Sequence, residues 1–217
     1  MRIVIIFLTK YLFMKNKISC PDICPNCKEA ILKPHLKKGL NIIFVGFNST
    51  QEAIELGGFF KRRNGTHLFW EELCEAGITD KVISQDEAYD YGIGCTDIFK
   101  CAAGTIVKKF QKKIKGISRE TGLSTREIYK RGAISIKKGI STYSPKIACL
   151  LGIYVWKWFN GIYSLRKTPI EPKFGWQKNR IGNTKIFLCA FPAYAISPPY
   201  NRKEACINLL KKLSKVK

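Results

Sequence analysis

The run Ile42-Ile43-Phe44-Val45 is apolar without a break and stops at Gly46. A run of that kind, with no polar alternation, suits a strand covered on both faces, as in a parallel sheet. The pattern predicts a buried strand over residues 40–45, and Asn48 then falls on a loop at its mouth. In "HLFWEELCEAGI", Phe69, Trp70, Leu73 and Cys74 recur at helical spacing and Gly77 supplies a stop. "YDYGIGCTDIF" predicts a loop feeding a short strand. Ser124 and Glu127 have capping-box spacing and open a helix carrying Ile128, Ile136 and Ile140. "SPKIACLLG" predicts a second buried strand, and "IYVWKWFNG" a short helix after it. Gly182-Asn183 marks a turn between two strand-like segments in "RIGNTKIFLCAFP". A last helix begins near Asn201, with Cys206, Leu209, Leu210 and Leu213 inward and its lysines outward.

Strands alternating with helices predict a three-layer α/β/α sandwich with a mainly parallel central sheet. Residues 1–38 read as an N-terminal arm with a Cys-rich knot, and residues 39–217 as the main domain. There is no internal repeat and no low-complexity linker. Ligands of such sheets bind outside the carboxyl ends of the strands. That directs attention to two loops, residues 46–50 and residues 191–197.

Charge adds a partner. Lys and Arg number 38 against 16 acids, a formal net charge of +22, and a field of that sign attracts polyanions such as DNA, RNA or an acidic membrane surface. The basic run "KKFQKKIKGISR", residues 108–119, concentrates it. The opening "MRIVIIFLTKYLFMKNK" is interrupted by Lys10, has no small-residue cleavage site and is too short to span a bilayer. It reads as a short strand, an amphipathic tail or an extension ahead of Met14. The expectation is an intracellular protein, cytoplasmic or nucleoid-associated (nuclear in a eukaryote), with mostly reduced thiols, no membrane partner and a monomeric state.

The blocks "GLNIIFVGFNS", "GGFF", "HLFWEELCEAGIT", "YGIGCTD" and "FGWQKNRIGNTKIFLCAFPAYAIS" come in the order and spacing of the mismatch-specific uracil/thymine-DNA glycosylases, and the chain resembles that family over roughly residues 34–215. The family comprises the bacterial Mug and eukaryotic thymine-DNA glycosylases, within the uracil-DNA glycosylase superfamily. The resemblance implies a monofunctional glycosylase of base excision repair. It would excise uracil, or thymine, from G:U and G:T mispairs in double-stranded DNA, with no cofactor for catalysis. The family's first motif stands here as Gly46-Phe47-Asn48-Ser49-Thr50, with the Asn kept and a Pro-Gly pair lost. By resemblance Asn48 holds the water that attacks the sugar, Phe60 stacks on the flipped base, and backbone amides near Gly46, Phe47 and Phe60 bond the pyrimidine oxygens. An amide orients water but accepts no proton, so positioning and leaving-group stabilisation would carry the acceleration. The alternative for Asn48 is a plain helix cap; for Phe59 and Phe60 it is core filling.

The second motif departs further. Where the family has a Ser-rich loop ending in Arg, this chain has Phe191-Pro192-Ala193-Tyr194-Ala195-Ile196-Ser197. By resemblance this loop enters the helix and touches DNA; Tyr194, which the family pattern lacks, reads either as an intercalating wedge or as a plain surface aromatic, and Arg202 follows later. A two-residue insertion within "KRRNGT" alters the loop near the pocket.

"CPDICPNC" places Cys20, Cys24 and Cys27 at ligand spacing, with His35 beyond. Three readings stay open: a structural zinc, an iron-sulfur cluster, or unliganded thiols. The cysteines at 74, 95, 101, 149, 189 and 206 sit mostly in apolar runs and read as small core residues. Two further functions compete with mismatch repair. One is a DNA-binding module of the same fold that cuts nothing. The other is a related glycosylase acting on hypoxanthine or on uracil in single strands.

Overall fold

A computed structural model describes residues 32–63, 65, 67–99, 107–163, 172–191 and 202–215. Among these residues five strands form one sheet: β1 (Ile42–Asn48), β2 (Ile93–Phe99), β3 (Ile147–Leu151), β4 (Gly175–Ile181) and β5 (Thr184–Cys189). Their order is β2-β1-β3-β5-β4. The first four in that order run parallel, and β4 closes the far edge antiparallel to β5. Six α-helices are described: α1 (Gln51–Glu55), α2 (Leu68–Glu75), α3 (Val107–Thr121), α4 (Thr125–Tyr143), α5 (Ile153–Phe159) and α6 (Arg202–Ser214). None is long and apolar enough to cross a membrane.

Strand alternation sorts the core into two layers. Ile43 and Val45 of β1 point to a cluster with Ile114 of α3, Ile128 and Ile136 of α4 and Trp158 of α5. Ile42 and Phe44 point the other way, to Phe69 and Leu73 of α2 and to Cys206 and Leu210 of α6. The result is the α/β/α sandwich expected. The basic run expected from sequence falls on α3, with Lys112 and Lys115 exposed and Ile114 fully buried. Ser124 caps α4 as its spacing requires, its Oγ accepting from Glu127 N at 3.1 Å.

Two local readings change. β1 runs through Asn48, so that residue ends a strand instead of lying on a loop. The helix cap beyond it is Thr50, whose Oγ1 accepts from Ala53 N at 3.1 Å. Asn48 Nδ2 donates only to the Ser49 carbonyl among its described hydrogen bonds, at 3.1 Å, so helix capping does not account for it.

Residues 32–40 lie against the β2 edge. Leu32 is buried in the α2 layer, and His35 forms an antiparallel bridge with Cys95.

Candidate active site

Alternation along β1 puts Gly46 and Asn48 on the α2 face of the sheet, two and four residues beyond Phe44. Asp97 of β2 is the register partner of Gly46. Its carboxyl lies directly over that glycine: a Cβ built on Gly46 would sit 2.1 Å from Asp97 Oδ1. Only a residue without a side chain permits this approach. Ser49 Oγ donates to Asp97 Oδ2 at 2.6 Å, and both residues are buried. Burial pushes the Asp97 carboxyl up to about 7, with the Ser49 hydroxyl opposing the shift. A carboxyl at that value exchanges protons near neutrality, which is the range a general base needs.

Phe60 belongs to the same face. It stacks on Phe69 with ring centroids 4.0 Å apart, and Phe69 meets Phe44 edge-on at 5.0 Å. Phe60 also has a left-handed backbone, φ 53°, uncommon for a residue with a large side chain. Two bonds hold the turn: Trp70 Nε1 donates to the Phe60 carbonyl at 3.2 Å, and Phe59 N donates to Gln85 Oε1. Phe59 is buried core, whereas Phe60 is half-buried. A cavity of about 530 Å³ flanks Phe60, with His67, Trp70, Gln85, Lys61 and Arg62 in its walls; Asn48 and Asp97 are not among its lining residues. His67 caps α2 through its ring, Nδ1 accepting from Phe69 N at 3.1 Å, and burial holds its pKa down at about 4.

Phe47 points to the opposite layer, against Trp158 at 4.8 Å and Phe99 at 5.7 Å. Only its backbone is available on the Asn48 side. Phe191 is 47% exposed, and Pro192, Ala193, Tyr194, Ala195, Ile196 and Ser197 lie outside the described residues.

Cys20, Cys24 and Cys27 also lie outside the described residues. His35 stacks on Tyr89 at 3.7 Å, and its Nδ1 meets Gln85 Nε2 at 3.3 Å. Its Nε2 is buried with no hydrogen-bond partner among the described residues. Among those residues no group of three or more His, Cys, Asp or Glu is arranged to hold a metal ion. Cys95, Cys149, Cys189 and Cys206 are buried, and Cys74 is half-buried.

Asp97 escaped the reading of the sequence. Its one signal is a Thr-Asp pair at the carboxyl end of an otherwise apolar strand, and its importance depends on the β1–β2 register, which one sequence does not display.

Asn48 and Asp97 thus lie toward the carboxyl ends of adjacent parallel strands, and Phe60 belongs to the same layer through its stack on Phe69. The family model of the uracil DNA glycosylase superfamily matches residues 34–214, and the chain belongs to that superfamily, a group of DNA glycosylases. No curated protein sequence matches the chain.

Proposed function

We propose that this protein is a DNA glycosylase that excises uracil, and also thymine or other damaged pyrimidines, from G:U and G:T mispairs. The observation that carries the reading is the placement of Asn48, the near-neutral Asp97 carboxyl and the Phe60 ring on one face of the sheet. The flipped base stacks on Phe60. Asn48 orients a water beneath the sugar, and Asp97 in its charged form takes a proton as the water attacks. Cleavage of an N-glycosidic bond passes through an oxocarbenium-like sugar, which a nearby carboxylate also stabilises. A base near its working pH contributes about 10²–10⁴ in rate, and an Asn amide cannot act as that base.

The test compares G:U, G:T, A:U and inosine duplexes, and a uracil-containing single strand, for abasic-site formation. Cleavage fastest on G:U supports the reading. A protein that binds all five and cuts none is the DNA-binding module instead, and preference for inosine or the single strand reassigns the substrate. Hydrolysis needs no cofactor in this scheme. The metal set Cys20, Cys24, Cys27 and His35 is tested separately, by elemental analysis for zinc and iron.

A further inference from the structure

β4 is an edge strand that does not hide its aromatic residues. Trp176 is 42% exposed, and Phe174, just before the strand, is 44% exposed. Cross-strand pairing puts Trp176 beside Phe187 and Arg180 beside Lys185. Since Lys185 and Phe187 alternate onto one face of β5, Trp176, Arg180 and Lys185 share that face. Contacts agree: Trp176 meets Phe187 edge-on at 4.9 Å, and Lys185 Nζ lies 6.0 Å from the Trp176 ring. Phe187 packs in the layer of α2 and α6, so this is also the face that carries Asn48 and Asp97. Four cations, Lys173, Lys178, Arg180 and Lys185, lie within residues 172–191, and that segment has no acid. All four are exposed.

We propose that Phe174 and Trp176, with Arg180 and Lys185, form a second nucleic-acid surface that takes unpaired nucleotides of single-stranded DNA. In a duplex the base faces are stacked on one another and present nothing for an exposed ring to cover. Unpaired bases offer a free face, and rings interleaved with cations are how single strands are held without regard to sequence. Cations alone would serve a duplex; the exposed indole and phenyl rings are what favour the single strand. β4 lies three strands from β1 across the sheet, about 14 Å. Register runs from Trp176 through Phe187 and Cys149 to Phe44, and from Arg180 through Lys185 and Ile147 to Ile42, so the strip is also set back from Asn48 by roughly 13–20 Å along the strands. The surface therefore takes unpaired stretches away from the target nucleotide, in bubbles, junctions or displaced strands. The inference concerns binding and does not depend on which base the Asn48 site removes.

The test uses the full chain and two uracil-free probes, a 15-nucleotide oligo-dT and a blunt 15-base-pair duplex, titrated at fixed salt. In Phe174→Ala/Trp176→Ala the affinity for oligo-dT should fall roughly ten- to a hundredfold, by loss of base stacking. Duplex affinity should stay within about twofold, because phosphate contacts dominate it. Trp176→Phe should restore most of the single-strand binding, since a ring still stacks. Unchanged oligo-dT affinity in the double variant overturns the proposal. So does an equal loss on both probes, which marks a general effect on the fold. Sedimentation at the titration concentration adds a further arm: a parent dimer that the double substitution dissociates assigns these rings to a protein interface and also overturns it. Absence of uracil excision would sink the proposed function and leave this result standing.

Discussion

Gly46→Ala probes the closest approach in the site. The new Cβ would fall 2.1 Å from Asp97 Oδ1, 3.3 Å from Asp97 Cγ and 3.9 Å from the Thr96 carbonyl. Asp97 is buried and tied to Ser49 at 2.6 Å, so moving its carboxyl aside strains that bond. Overpacking of a close-packed interior costs about 1–3 kcal/mol. Breaking the buried Ser49–Asp97 bond adds about 1.5–3 kcal/mol when the acceptor is charged. The sum, about 2.5–6 kcal/mol, is a large share of the ~5–15 kcal/mol that holds a domain folded. For a chain of this size it lowers Tm by roughly 10 °C. Urea or thermal unfolding of four proteins closes the cycle: the parent, Gly46→Ala, Asp97→Ala and the double variant. Asp97→Ala removes the obstructing oxygen, and Ser49 loses its partner in both backgrounds, so that loss cancels. The two changes should be coupled by about 2 kcal/mol or more, the double variant being more stable than the sum of the single effects. A Gly46→Ala cost under about 1 kcal/mol, or additivity within about 0.5 kcal/mol, would show that the glycine is not there to admit the carboxyl.

Three more outcomes are expected. Single-turnover cleavage by the parent should rise with pH through about 7 as Asp97 ionises, while Asp97→Asn should be slower by roughly 10²–10⁴ and flat with pH; a parent profile without that rise removes Asp97 as the base. Glu72 is fully buried on α2, and burial raises it from 4.5 to about 7, with the neighbouring Cys206 thiol opposing the shift. Between those values the folded state keeps a proton that the unfolded state has lost, so stability falls as pH rises, by roughly 3 kcal/mol in all. Glu72→Gln should therefore gain on the parent in Tm at pH 8 relative to pH 5, and equal pH slopes in the two proteins would refute this. DNA affinity should drop by about three decades between 50 and 200 mM salt if about six phosphates are neutralised; a flat response, or no loss when Lys112, Lys113 and Lys115 become Ala together, separates the α3 run from DNA.

The buried strands were legible because they are written in runs that no other element uses. Residues 42–45 and 147–151 are apolar on both faces, and both proved to be fully covered parallel strands. The cap of α4 was equally plain from Ser124 and Glu127. β4 was harder to place: as an edge strand it exposes Trp176, Lys178, Asn179 and Arg180, and "WQKNRI" carries no apolar run, so only its end near the Gly182 turn was read. α1 is five residues long, too short for a periodicity to show. In the site, the sequence pointed to Asn48 and Phe60 through motif order. Which way a ring turns was not written there: Phe47 adjoins Asn48 in sequence, and strand alternation sends it to the other layer. Glu72 and Asp97 both look like ordinary acids in a sequence. Their chemistry comes from what packs over them, which is a property of register and helix docking.

Asn48→Ala tests the central claim most directly. Asn48 ends β1 on the Asp97 face, caps no helix and has one local hydrogen bond of its own, so its removal should leave the fold intact. If it orients the attacking water, single-turnover cleavage of a G:U duplex should fall by roughly 10²–10⁴, the effect of losing one well-placed catalytic group. The dissociation constant for the same duplex should stay within a few fold, because phosphate contacts supply most of the affinity. Cleavage at the parent rate by the Ala variant would contradict the account.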